Sequence, residues 1–193
     1  MSGSAGRPLR ADAERSVRAI LEAAERVLSA DPGASMEQIA TAAGVARTTI
    51  HRRFAHRQAL IEALASSAAR RLAEAVEDGR PDTAPPLVAL HRITANVLEV
   101  KGAWAFALGL PAEPGSEAAA VHEDMGRRCI TVLERARADR LIDEAADLHW
   151  LRRVYYALLG ESLDGSPDDA GVDTDTLAAR IVDTLLHGAG PRT

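Results

Sequence analysis

Twelve residues, Ala46 to Arg57 (ARTTIHRRFAHR), hold four arginines, two histidines, two threonines and no carboxylate. Guanidinium and hydroxyl groups in such density are suited to donating hydrogen bonds to phosphate oxygens and to the edges of bases. Coiled as a helix, the segment turns Ile50 and Phe54 to one side. Arg47, Thr48, His51 and Arg52 then project to the other, with Thr49 at the edge of that face. The same spacing fits a packed helical hairpin equally well, and charge separates the two readings. The chain carries 23 basic and 28 acidic residues, a net of -5, so a segment at +4 leaves -9 on the rest. A cationic face on an acidic protein is an electrostatic footprint for a polyanion.

The flanking residues predict the elements that would hold this face. Ser35 is placed to cap a short helix, and Gln38, three residues on, can answer to its backbone as a capping box. Met36, Ile39, Ala40 and Ala43 follow as one apolar stripe. Gly44 stops that helix by its freedom to take positive φ, and Val45 is expected as a buried plug in the turn. The second helix begins at Ala46, which makes the pair a helix-turn-helix shaped for the DNA major groove. Upstream, a helix over Asp12–Ser29 buries Val17, Ile20, Leu21, Ala24, Val27 and Leu28, with Arg15, Arg18, Glu22 and Glu25 placed outside. Asp31-Pro32-Gly33 ends it. Downstream, a helix from Arg57 to about Asp78 presents its N-terminus and Arg57 to phosphates. Its far half enters a second domain.

Length and composition set the frame. The chain has 193 residues, 47% of them hydrophobic and only 3% aromatic, because alanine supplies much of the apolar count. Alanine favours helix, and no stretch alternates long enough to demand a strand, so the fold class expected is all-α with about nine helices. The breaker-rich run DGRPDTAPP, from Asp78 to Pro86, marks a boundary. Further helices are expected near Leu87–Lys101, Ala103–Leu110, Ser116–Arg140, Asp147–Leu163 and Thr174–Gly188. The domain plan is a flexible basic arm over residues 1–10, a helix-turn-helix domain over 11–56, a connecting helix over 57–80 and a ligand-binding and dimerisation domain over 81–193. Arg7 and Arg10 in the arm could reach DNA. A single cysteine, Cys129, excludes an internal disulfide framework. The N-terminus has no apolar core and no 18-residue apolar run exists to span a membrane, which predicts a cytoplasmic protein without membrane contact.

The run IATAAGVARTTIHRRFAHRQALI resembles the DNA-binding signature of tetracycline-repressor-type (TetR) transcriptional regulators. The resemblance extends to GRPLRADAERSVRAILEAAERVL, similar to that family's arm and first helix, and to IVDTLLHGAG near the end, similar to its closing helix. It implies a homodimeric, ligand-responsive regulator, a repressor on a palindromic operator, with no cofactor. Carried onto this chain, Arg47, Thr48, Thr49 and Arg52 are assigned to base edges, and Ser35, His51 and Arg57 to phosphates. The family commonly has Ser where Ala46 stands, Gly at Thr48, Tyr at His51 and Lys at Arg57. These departures bear on base preference more than on binding mode.

The second domain is expected to serve a small, mostly apolar effector. Large side chains are few, and Trp104, Phe106, Trp150 and Tyr155 all follow the breaker-rich run, while Met125 and Cys129 share a helix face. These six are the candidate pocket residues. The last two helices carry stripes, Leu148, Leu151, Tyr155, Leu158 and Leu159 on one and Ala178, Ile181, Val182 and Leu185 on the other. They are assigned to a dimer interface, against the alternative of packing within one subunit. Two-fold related readers about 34–36 Å apart would then meet successive major grooves. No catalytic constellation, metal-chelating spacing or phosphate loop is found, so no enzyme activity and no metal are expected. The rival class, a small all-α enzyme or lipid carrier, would need titratable groups converging on the cavity.

Overall fold

The computed structural model describes residues 6–162 and 171–188, with side chains from Asp12 onward. Every regular element among them is helical: α1 Gly6–Ala30, α2 Met36–Ala42, α3 Arg47–Arg53, α4 Arg57–Asp78, α5 Pro86–Ala103, α6 Ala105–Gly109, α7 Glu117–Ala138, α8 Leu148–Glu161 and α9 Thr174–His187. Helix ends agree with the sequence expectation to within a few residues, apart from the first. There the helix starts at Gly6, so the arm expected over residues 1–10 is helical in its second half. Residues 1–5, the side chains of Arg7 and Arg10, and residues 163–170, which were expected to separate the last two helices, lie outside the described residues.

The chain divides into two compact units: Met1–Ala68 with Trp104–Ala112, and Ala69–Ala103 with Glu113–Thr193. The boundary therefore falls inside α4, not at the breaker-rich run, and α6 returns to the first unit. Breakers mark where a helix must stop, whereas unit membership follows from which faces are buried together.

In the first unit α1 packs on α2 and α6, and α2 on α3. Ile20, Leu28, Ile39, Ile50, Leu60 and Leu64 are fully buried at its centre. Glu25, expected on the outer face, is only 5% exposed. Its two carboxylate oxygens accept the backbone N–H groups of Phe106 (2.9 Å) and Ala107 (3.0 Å), and Ser29 Oγ donates to it at 3.2 Å. Trp104, the residue preceding α6, offers no side-chain cap, so a carboxylate from α1 satisfies the free N–H groups of α6's first turn. The sequence carried a signal for this. Glu25 stands four residues after Leu21 and three before Leu28, inside the apolar stripe rather than opposite it.

In the second unit α5 packs on both α7 and α9, and α8 packs on α7 and α9. The turn after α4 is bound tightly. A Cβ added at the buried Gly79 would come within 2.3 Å of the Ile93 side chain and 3.0 Å of its backbone nitrogen, so only glycine lets this turn approach α5 so closely. Arg135 of α7 donates to the carbonyls of Pro81 and Ala84 in that turn, the latter at 2.7 Å. Asn96 of α5 donates to the carbonyl of Ala75 at 3.0 Å.

Candidate nucleic-acid interface and apolar cavity

The helix-turn-helix is fixed locally before anything else packs on it. Ser35 Oγ accepts from the Gln38 N–H at 3.2 Å, and Gln38 Oε1 accepts from the Ser35 N–H at 2.7 Å, closing the expected capping box. At the far end of α2, Gly44 sits at φ 67°. The Val45 N–H donates to the Ala40 carbonyl (3.0 Å) and the Gly44 N–H to that of Thr41 (3.1 Å). This pair of bonds is a Schellman motif, which turns the chain sharply and delivers α3 at a defined angle. Val45, expected as a buried plug, is half-buried. Ala46 leads into α3 with no side-chain cap.

Ile50 is fully buried and Phe54 is 6% exposed, so α3 is anchored by the two residues its spacing marked as inner. Arg47, Thr48, His51 and Arg52 are exposed, and Thr49 is half-buried at the edge. The four arginines differ in their surroundings. Arg52 is exposed and has no carboxylate partner among the described residues. Arg47 pairs with Glu37 at 2.9 Å in the open. Glu37 itself is held below the ordinary carboxyl value, first by its own backbone N–H and then by the Arg47 guanidinium. Exposed pairs of this kind contribute little to stability, so Arg47 can exchange Glu37 for another anion. Arg53 is half-buried and its Nε has no partner among the described residues.

Arg57 behaves differently from its sequence assignment. Its guanidinium donates to the carbonyl of Ala34 through Nη1 and to that of Pro32 through Nη2, the latter at 2.6 Å. It clamps the start of α4 to the loop that delivers Ser35. The Ala59 N–H at the same helix start donates to His56 Nδ1 at 3.1 Å.

The second unit contains a small apolar cavity that opens to solvent. Leu90, Ile93 and Val97 of α5 line it, with Met125 and Cys129 of α7 and Tyr155 of α8. Three of the six candidate pocket residues, Met125, Cys129 and Tyr155, thus come together there, and Tyr156, Arg128 and Val76 join them. The other three do not. Trp104 and Phe106 belong to the first unit, where α6 docks on α1, and Trp150 is 56% exposed with the Arg153 guanidinium 4.8 Å from its ring centre. Their place after the breaker-rich run suggested a shared domain; the fold carries α6 back and turns Trp150 outward. Val76 comes from α4 and could be found only from the tertiary arrangement.

Polar groups in the cavity are few and uncharged, except for Arg128. Burial pushes the Cys129 thiol up to about 11 and the Tyr156 hydroxyl up to about 12, so both keep their protons at neutral pH. Burial also raises Tyr155 well above its ordinary value. The Arg128 guanidinium donates to Asp124 Oδ2 (2.9 Å) and Glu77 Oε2 (2.6 Å).

The stripes on α8 and α9 assigned to a dimer interface are largely used within one chain. Ala178, Ile181, Val182, Leu185, Leu148, Tyr155 and Leu159 are all buried, and Leu151 and Leu158 half-buried. α9 reaches this burial by packing on α5 and α8. On α8, Trp150 is exposed, and Tyr156, whose hydroxyl side lines the cavity, is 42% exposed.

An anchored recognition helix with an outward row of cations and hydroxyls defines a helix-turn-helix DNA-binding protein. Residues 20–64 match the model of the family described as bacterial regulatory proteins, tetR family. Over 176 residues the chain is 32% identical to the HTH-type transcriptional repressor LfrR of Mycolicibacterium smegmatis, an overlap of 91% of this chain and 90% of that protein. The chain belongs to the TetR family of transcriptional regulators. Among solved structures, that of the TetR-like regulator LfrR from Mycobacterium smegmatis in complex with proflavine matches with a TM-score of 0.71 and 29% identity, covering 93% of this chain and 99% of that one. The TetR family regulator PfmR from Thermus thermophilus matches in fold with a TM-score of 0.77 at 17% identity, covering 89% of this chain and 99% of that one. No described helix is long and apolar enough to cross a membrane.

Proposed function

We propose that this regulator is a cytoplasmic, homodimeric repressor, with no enzyme activity, that binds a palindromic operator and is released by a small, mostly apolar effector. The observation that carries the DNA-binding part is the outward face of α3, with Arg47, Thr48 and Arg52 exposed over a buried Ile50. Arg47, Thr48, Thr49 and Arg52 read base edges. Arg52 is the strongest discriminator, because arginine pairs bidentately with guanine and no carboxylate among the described residues competes for it. Ser35 and His51 hold phosphates and set the register. Arg57 acts through the loop it clamps, fixing Ser35 against the start of α4.

The exposed Trp150 of α8 supports the dimer, since it is a large apolar group left in water by a single chain. The cavity supports the effector, and the proflavine complex of LfrR is a relative's precedent for a small-molecule ligand. Release requires that the effector bind the DNA-incompetent arrangement better than the competent one; α4, continuous from Arg57 to Asp78, is the element through which the two could be linked. A gel shift of the full chain with DNA from upstream of its own coding sequence tests the reading. A discrete complex that survives competitor DNA supports it, and binding no tighter than to random duplex refutes it.

A further inference from the structure

The stretch from Ser35 to Arg57 contains a single carboxylate, Glu37, among four arginines. Glu37 Oε1 accepts from Arg47 Nη2 at 2.9 Å, which joins the first turn of α2 to the first turn of α3. Its carboxyl is kept ionised first by its own backbone N–H and then by the Arg47 guanidinium, with the Ser35 hydroxyl and the His51 ring contributing less. Ser35, Arg47 and His51 are side chains assigned above to DNA, so the one acid of the reader stands beside three of its contacts. An acid in the first turn of a helix is favoured by the helix dipole. That explains a carboxylate at the start of α2, but not its bond across to Arg47.

The pair meets the two kinds of acceptor on DNA differently. A guanidinium carries five N–H groups, and one bond to Glu37 leaves four. A guanine edge presents neutral acceptors, O6 and N7, which Arg47 can engage with those four while it keeps Glu37. A phosphate oxygen is charged, and two anions on one guanidinium repel each other. To hold a phosphate, Arg47 must give up Glu37, whose carboxylate is then left unpaired in the negative field of the duplex. The pair contributes little in the free protein, but breaking it against a polyanion is opposed by every nearby phosphate.

We propose that Glu37 is a positioning residue that holds Arg47 for base edges and withholds it from phosphates, so that it sharpens the choice between operator and random DNA while lowering total affinity. This deepens the DNA-reading role given to α3 and rests on it. Arg47 is the group that touches DNA; Glu37 decides which part of the DNA it touches.

The test measures binding of the full chain to two duplexes of equal length, the upstream DNA of the gel shift and a random sequence, across a salt series. Glu37→Gln keeps the size of the side chain and removes its charge. This variant should bind the random duplex about 2- to 5-fold more tightly than wild type. Its slope of log K against log salt on that duplex should steepen by about one unit, because Arg47 now takes a phosphate. Upstream DNA should gain less, so the ratio of the two affinities falls. In an Arg47→Ala background, Glu37→Gln should change neither slope nor ratio, since the guanidinium it would release is absent. An equal gain on both duplexes, or a changed slope that persists without Arg47, would overturn the proposal and make Glu37 a plain repulsive charge. A lower melting temperature with slope and ratio unchanged would also overturn it, leaving Glu37 as a helix-end acid. Wild-type binding no tighter to upstream than to random DNA would overturn the operator reading and this proposal with it. A wild-type preference that Glu37→Gln leaves intact would overturn this proposal alone.

Discussion

In α3 the guanidinium of Arg52 faces solvent over a buried Ile50, whereas in the second unit the hydroxyls of Thr94 and Tyr155 are enclosed by aliphatic side chains and bond one another. The first region keeps its polar groups hydrated until a partner arrives, so its specificity lies in donors left unengaged. The second has already dehydrated its polar groups and paired them with one another, so what it offers a ligand is apolar surface. An exposed donor can meet many partners at modest gain, while an apolar cavity penalises every ligand that brings an unpaired polar group.

Six substitutions would break or sharpen this contrast, in order of expected effect. Ile50→Ala removes the fully buried anchor of α3 and should destabilise the chain by about 2–5 kcal/mol in urea unfolding, with DNA binding lost on every sequence. If DNA binding survived, the anchored-helix account would fail. Glu25→Ala leaves the N–H groups of Phe106 and Ala107 without their acceptor and should lower stability by about 1–3 kcal/mol. No change would mean that water replaces the carboxylate at no loss. Arg52→Ala should reduce discrimination at one operator position by about 1–3 kcal/mol in gel shifts against single-base variants. Arg47→Ala should do less, because Glu37 competes for that guanidinium.

Arg57→Ala should weaken binding on all sequences while leaving the slope of log K against log salt unchanged, since its donors serve the Pro32 and Ala34 carbonyls. A slope reduced by about one unit would restore Arg57 as a phosphate contact. The smallest effect belongs to Asp173, which caps α9. Bonds from the Thr176 N–H and then its hydroxyl hold this carboxyl below its ordinary value of 3.8. A lowered folded value means that the stabilisation is present above 3.8 and is lost as pH falls through the folded value. Asp173→Ala should therefore lower the melting temperature slightly at pH 7, and the difference should close in acid. A difference that persisted in acid would assign the cap to the neutral group.

The reader was legible because its determinants are near neighbours in the chain. Ser35 and Gln38 are three residues apart, Gly44 closes the helix it follows, and the side of α3 that faces out follows from where Ile50 and Phe54 must go. The cavity was only half legible. Met125 and Cys129 share a helix face, which periodicity reveals, but Val76 and Tyr155 meet them from other helices. Trp104 and Phe106 were misplaced because order along the chain does not tell which unit a segment rejoins. Glu25 looked like a surface acid because its partners, Phe106 and Ala107, lie some eighty residues away. The stripes of α8 and α9 were read correctly as apolar faces, yet a single chain already buries most of them.

Helix identity, helix ends and the outward chemistry of α3 were set by the amino-acid order alone, since each depends on backbone bonds and side-chain spacing within a turn or two. Which arginine remains available, which carboxylate is buried and which hydroxyls are paired out of water were decided only when distant helices met. Those properties depend on the loss of water and the arrival of a partner from elsewhere in the chain, and no local spacing encodes either.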